Sequence, residues 1–327
     1  MKKTNVAVIG AGYWGKKIVC EYSELAKSNS KVNLSAVCDL SKENLQFCNE
    51  NYLIPYVCSS LEEILSDREI DAVNICTPSE THFKISKAAL EAGKHVLVEK
   101  PMSLTSSEAY ELYDLARAKG LVLSVGHIYR FNNAIKKVRR LIKDGFFGDL
   151  YYLKLRWTTL CPSPEGRDIL TDLAPHPFDI INFLLNDWPS RLSCKAKTYR
   201  RNELEEVAYC IAEFDNSVMA HIELSWLLPG KIREVNVMGS KRFAKIDCLR
   251  QVIEAFENGY FYDVPVKRNN TIKNELEYFI ECIQNGKSGN PICNNRNGGL
   301  IGANVVSLLE AARRSVETEK TERVEVR

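Results

Sequence analysis

Two rhythms of apolar and polar positions divide the chain. Through the first 125 residues, short, largely apolar runs alternate with stretches of helical spacing. Runs at 6–9, 34–38, 72–76, 95–99 and 121–125 read as buried strands. Between them, 16–27 places Ile18, Tyr22 and Leu25 on one side of a helix, and 42–50, 61–65, 83–91 and 105–119 are helical too. Short apolar strands separated by helices predict a parallel sheet covered on both faces, with ligands at the carboxyl ends of the strands. Beyond residue 150 the period changes. Residues 151–157 alternate as a strand, and further strands are predicted near 191–200, 206–214, 218–226, 232–238, 243–248, 251–256 and 260–264. Their close spacing predicts an antiparallel or mixed sheet, apolar on one face and free on the other to line a site or an oligomer interface. Helices over 274–284 and 303–318 close the chain. The expected domains are 1–124 and 125–327.

The first turn carries a signal. "GAGYWG" follows the first strand and opens the first helix, so Gly10, Gly12 and Gly15 stand in the context that a dinucleotide-binding fingerprint requires: a tight turn, close backbone approach to a pyrophosphate, and helix–strand packing. The free N–H groups of the helix start, around Tyr13 and Trp14, favour phosphate. Asp39 ends the second strand, where a carboxylate accepts hydrogen bonds from both ribose hydroxyls. That carboxylate repels a 2′-phosphate, and Leu40-Ser41-Lys42 offers no arginine clamp, so NAD is favoured over NADP. The fold class expected is α/β: an N-terminal Rossmann dinucleotide-binding domain, then a C-terminal α+β domain with a large open, mostly antiparallel sheet.

Composition narrows the partners. The chain has 327 residues, 45% apolar and 26% charged, enough for two cores. A formal net charge of +2 argues against nucleic acid or an anionic membrane as partner. No apolar run has the length of a membrane span, and the start runs straight into a strand without a signal peptide. Eleven cysteines, none in a CxxC pair, make neither a metal site nor a disulfide framework. Reduced thiols in a cytoplasm are expected.

Three more stretches sit at strand ends: "CTPSETH", "VEKPMSLT" and "GHIYRFNNAIKKVRRLI". With "GAGYWG" and "DLAPHPFDIINFLL" they resemble, in order along the whole chain, the Gfo/Idh/MocA family of NAD(P)-dependent sugar oxidoreductases. Ser79 and Glu80 depart from the family's T-P-N-x-x-H, and Asn133 from its R-F-N-P. The resemblance implies an enzyme oxidising a secondary hydroxyl of a sugar or nucleotide sugar by hydride transfer. The D-L-A-P-H stretch is most similar to the nucleotide-sugar 3-dehydrogenase branch, and a UDP-linked amino sugar is the implied substrate. It places Tyr13, Trp14, Thr77, Pro78, His82, Glu99 and Lys100 beside the cofactor, although His82 serves equally well as a structural residue at a helix start. It implies that Lys100 holds the reacting hydroxyl, that His176 is the acid/base, and that Asp172 contacts substrate or tunes His176. It implies subunit packing through the open sheet, hence a homodimer or homotetramer.

The residues themselves support parts of this. Lys100 lies at a strand end, where the competing reading is a solvated surface lysine. Asp172 and Asp179 flank His176, and Pro175 and Pro177 mark a first helical turn or a bend. Asp179 orients the imidazole or caps the element. Tyr129 and Arg130 suit a sugar or anion, and Arg156 and Trp157 do so more weakly. His127 approaches the nicotinamide or fills the hinge. Residues 161–167 form a loop, readable as a lid, in which Cys161 is reactive or a plain thiol. The basic run at 136–140 reads as a solvated helix face. Other readings on the same scaffold are a cyclitol dehydrogenase, an NAD-binding regulatory relative, and an enzyme that reduces an imine or bilin or uses NAD transiently to cleave a glycosidic bond. A methyltransferase is disfavoured by E-K-P and the second sheet.

Overall fold

The computed structural model describes residues 3–28, 31–162, 166–200, 204–287 and 296–327. The chain forms two compact units, Met1–Ile128 with Ile272–Ala303, and Tyr129–Thr271 with Asn304–Arg327. The first unit's leading segment ends at Ile128. The return of Ile272–Ala303 to the first unit is a difference from the contiguous second domain that was expected.

The first unit runs β1 (Thr4–Ile9), α1 (Tyr13–Ser28), β2 (Val32–Cys38), α2 (Lys42–Asn51), β3 (Tyr56–Cys58), α3 (Leu61–Ser66), β4 (Ala72–Ile75), α4 (Ser79–Glu91), β5 (His95–Val98), α5 (Ser106–Ala118) and β6 (Leu123–Val125). All pairings are parallel, in the order β3-β2-β1-β4-β5-β6. This is a Rossmann sheet, with its order reversing between β1 and β4, where a crevice opens at the carboxyl ends. Strand β3, three residues at the edge, is too short for its pattern to be read from sequence.

Helix α9 (Thr271–Lys287) explains the return of the chain. Leu276, Phe279, Ile280 and Ile283 repeat at three and four residues, the spacing of one apolar helix face. They join Ile18, Tyr22, Leu25, Leu34, Leu97 and Val122 in one core. Burying each of these side chains stabilises the unit by roughly 1.5–3 kcal/mol. The segment is tied by main chain as well: Val125 N donates to Asn297 O at 2.8 Å, and Asn297 Nδ2 donates to Val125 O at 2.8 Å.

The second unit begins with a 3-10 turn, Ile128–Phe131, and α6 (Asn133–Lys143), whose first N–H groups are capped by the Asn132 side chain. Strand β7 (Leu150–Thr158) is followed by α7 (Ile169–Leu173), α8 (Pro175–Leu185), β8 (Arg191–Lys197), β9 (Val207–Glu213), β10 (Met219–Ser225), β11 (Ile232–Gly239), β12 (Phe243–Asp247), β13 (Val252–Glu257) and β14 (Tyr260–Val264). Helix α10 (Gly299–Thr318) and β15 (Glu322–Arg323) end the chain. The nine strands are ordered β14-β13-β12-β11-β7-β10-β9-β8-β15. Only the β7–β10 pair is parallel, so the sheet is mixed and mostly antiparallel. Alternation does the rest. Leu153, Leu155, Trp157, Ile222, Val235 and Val237 are buried on the face that carries the helices. The opposite face holds Lys154, Arg156, Glu223, Glu234 and Asn236, with exposed Tyr152, Tyr209 and Met219.

Candidate active site

In the first unit the glycine turn has the shape its spacing demands. Gly10 has φ of +90°, and a Cβ there would come within 2.8 Å of the Cys76 and Thr77 main chain. A Cβ on Gly15 would collide with Gly10 O, so helix α1 packs close against the strand end. Gly12 is different: a Cβ there would meet nothing within 4 Å. Its main chain faces open space at a helix start, the approach a pyrophosphate needs. Asp39 fixes the turn from the side. Its Oδ2 accepts from Ala11 N at 2.5 Å and its Oδ1 from Ser41 N at 2.7 Å. The carboxylate therefore stands beside the turn at the end of β2, half-buried. These groups fit NAD: N–H groups and open space for the diphosphate, and an acid for the ribose.

The other strand ends converge on the same edge of the sheet. Thr77 and Pro78 follow β4, and Thr81 Oγ1 donates to Pro78 O at 2.7 Å. His82 is fully buried, with Nδ1 2.7 Å from Pro101 O and Nε2 2.8 Å from Thr77 O. Both its ring nitrogens are thus directed at main chain, and the ring ties the loop after β4 to the loop after β5. Lys100 is half-buried in that second loop and is joined to Pro101 by a cis peptide. Glu99 accepts from the Trp14 indole N–H. Removal from water pushes the Glu99 carboxyl up to about 7, against the pull of the Lys100 charge and the Trp14 donor. Tyr13 is exposed, with Lys17 Nζ 4.2 Å from its ring centre. His127 is buried beside Gly126, its N–H donating to Val125 O at 2.6 Å.

In the second unit the backbone stays in right-handed helical conformation through Ala174, between α7 and α8. Asp172 and His176 are four residues apart on that path, so they share one helical face, and both are half-buried. Asp168 caps α7 by accepting from Thr171 N at 2.7 Å, and Arg313 from α10 donates to Asp168 Oδ2 at 2.6 Å. The Tyr129 ring stands edge-on to both His176, at 5.1 Å, and Trp157, at 5.2 Å. These four side chains form a cluster of acid, imidazole and aromatic faces, suited to a polar ligand with an apolar side.

Two expected site residues are placed elsewhere. Arg130 is buried and committed internally: its Nε donates to Asp179 Oδ1 and its Nη2 to Asn182 Oδ1 at 2.6 Å. Its sequence neighbour Tyr129 points the other way, so adjacency misled. Asp179 is the acceptor in this pair. Arg156 lies on the sheet face opposite Trp157, because neighbours on a strand alternate; it donates to Glu223 Oε2 at 3.1 Å. Of the loop expected as a lid, residues 163–165 lie outside the described residues. The Cys161 thiol is pushed up by burial and by Asp172, which opposes thiolate formation.

Arg233 was not anticipated. It occupies a position in phase with Val235 and Val237 on the helix-covered face of β11, and an arginine at such a position was the available signal. Its Nη1 donates to Thr158 O at 2.9 Å, and its guanidinium lies 5.9 Å from the Trp157 ring centre. Burial pushes its proton affinity down, against the favourable charges of Tyr129 and Asp172. It adds a cation to the Tyr129–Trp157–His176 cluster.

A fingerprint turn on a Rossmann sheet, followed by a helix-borne acid and imidazole, defines a dinucleotide-dependent oxidoreductase. Residues 4–127 match the Gfo/Idh/MocA oxidoreductase family's NAD-binding Rossmann fold, and residues 135–245 match a C-terminal domain of the same family. The chain belongs to the Gfo/Idh/MocA family of NAD-binding oxidoreductases. UDP-N-acetylglucosamine 3-dehydrogenase of Acidithiobacillus ferrooxidans is 29% identical over 191 residues, 58% of this chain and 60% of that protein. Its solved structure superposes with a TM-score of 0.84 at 25% identity, covering 97% of this chain and 99% of that one. Myo-inositol 2-dehydrogenase of Thermotoga maritima is 24% identical over 340 residues, 98% of each chain. No described helix is long and apolar enough to cross a membrane.

Proposed function

We propose that the chain oxidises a secondary hydroxyl of a sugar or nucleotide sugar, with a UDP-linked amino sugar at C3 as the favoured case. NAD, when bound, accepts the hydride. Lys100 holds the reacting hydroxyl and lowers the cost of its deprotonation. His176 takes the proton, and Asp172, on the same helical face, contacts substrate or tunes the imidazole. Tyr129 offers the sugar an aromatic face, and Trp157 supports it from behind. The reading rests above all on Asp172 and His176 sharing a helical face against the Tyr129 ring. A base must reach the proton it removes, and Asp172 sets a carboxylate one turn away on the same helical face.

The favoured substrate draws on the likeness to UDP-N-acetylglucosamine 3-dehydrogenase. A cyclitol is the second reading, favoured by the end-to-end match to myo-inositol 2-dehydrogenase. We also infer a cytoplasmic setting, consistent with ten described cysteines of which none is in a disulfide. Screening UDP-sugars, free hexoses, glucosides and inositols for NADH formation at 340 nm separates the substrate readings. Turnover confined to inositols would transfer the assignment to the cyclitol class. Tight NAD binding without turnover on any of them would favour a regulatory relative.

A further inference from the structure

Three segments of the nucleotide-binding unit close on the carboxyl of Glu99. From the first turn of α1, the Trp14 indole N–H donates to Oε1. From its own loop, Lys100 N lies 3.4 Å from Oε2. From the end of β6, Gly126 packs so tightly that a Cβ there would come within 2.7 Å of Oε2 and 2.9 Å of Oε1. The charged and titratable groups around it are few. Lys100 stands in the same loop; Lys17 of α1 lies over the Trp14 ring at 5.2 Å. Cys76 follows β4, its thiol pushed well up by burial, then by Glu99 and by Glu275 of α9. His127 follows Gly126 in the chain. The carboxyl thus has two neutral N–H donors, from Trp14 and the Lys100 main chain, and the Lys100 charge close by, at the strand ends where ligands of such sheets bind.

We propose that Glu99 senses the charge of the cofactor, ionised beside oxidised NAD and protonated beside NADH, with Trp14 setting the balance between the two. Oxidised nicotinamide is cationic and reduced nicotinamide is neutral, so only the first stabilises a neighbouring carboxylate. The accompanying step balances simply: when NAD binds, the Glu99 O–H bond breaks and the proton passes to solvent, with no electron transferred. NADH binding leaves that proton in place. The carboxyl is poised for this, since its pKa of about 7 lets modest changes of local charge move it across neutral pH. The sign follows. NAD prefers the ionised form, so it lowers the carboxyl's pKa, and its affinity is lowest in acid and rises with pH. The rise ends above the pKa of the cofactor-free carboxyl, near 7. This inference rests on NAD binding and is independent of the sugar substrate.

The test is calorimetric binding of NAD and of NADH to the full chain without substrate, between about pH 5.5 and 8.5, in two buffers of different ionisation heat, which counts the protons released. NAD should tighten by about tenfold across that range, the effect of one pKa unit, and release about half a proton per site near the midpoint. NADH affinity should change by less than about twofold. Glu99→Gln should bind both nucleotides with a flat NAD profile. Trp14→Phe keeps an aromatic ring but removes the donor to the ionised form, so the midpoint should move to higher pH. Parallel NAD and NADH profiles in the parent protein would overturn the proposal. A Glu99→Gln variant that keeps the NAD slope would do the same. Should Glu99→Gln not fold, an unmoved midpoint in Trp14→Phe decides against it.

Discussion

His176 and Lys100 differ in what they should do to the two kinetic constants. On the proposed reading His176 takes the proton, so His176→Ala should cut kcat by roughly two to four orders of magnitude, the usual contribution of a positioned general base. NAD affinity, measured by titration calorimetry, should stay within about twofold. In the proposed reaction Lys100 holds the hydroxyl in ground and transition states alike, so Lys100→Ala should lower kcat and raise KM together. Normal melting curves with these losses support chemistry; lost stability and activity in parallel would mean both residues are structural. Asp39 is the residue expected to act on the cofactor. Its carboxylate accepts from Ala11 N and stands at the end of β2, so Asp39→Ala leaves a main-chain donor without its partner and removes the group that repels a 2′-phosphate. NAD should weaken by roughly tenfold, and the preference over NADP should narrow. A parent protein that binds NADP more tightly than NAD would sink this account.

At the scale of elements, the Arg130–Asp179 pair clamps the start of the second unit to α8. Both side chains are buried, at 5% and 1% exposure, so neither charge has water to fall back on. Asp179→Ala should cost about 3–5 kcal/mol in urea unfolding, because a buried guanidinium then lacks its countercharge. Arg130→Met with Asp179→Leu should recover much of that loss; equal losses in single and double variants would show that the pair is not the cause. The same residues show where sequence stops being informative. Strands β1, β2 and β4–β14 were legible because period and turn spacing are local properties. So was the glycine turn, whose residues are neighbours in the chain. The bond of Arg130 to Asp179 was not legible, because the two lie 49 residues apart. The sheet face that Arg156 takes depends on pairing, although its alternation with Trp157 was visible. Arg233 went unnoticed in a strand whose other inward positions are apolar. The apolar stripe of α9 was visible, but nothing local says which sheet it covers.

For the whole molecule, the exposed face of the second sheet carries the main prediction. Met219, Tyr152, Met238, Phe243, Phe256 and Phe261 lie opposite one another from strand to strand, forming an apolar row across β10, β7, β11, β12, β13 and β14. Contiguous apolar surface of this kind marks an interface. We expect light scattering to give a dimer or tetramer of the 37.1 kDa chain, and Tyr152→Glu with Phe261→Lys to shift it towards monomer. A parent protein that runs as a monomer at micromolar concentration counts against this. The return of α9 to the first unit has a consequence for synthesis. Strand β6 ends at Val125 and α9 begins at Thr271, 146 residues later. At roughly 5–20 residues per second, the ribosome takes about 7–30 s to deliver α9 after β6. Throughout that interval the apolar positions that α9 covers in the finished core stay uncovered on the nascent chain. The nucleotide-binding unit, first to be translated, is thus among the last to be completed, and its exposed face is a natural target for chaperones until then.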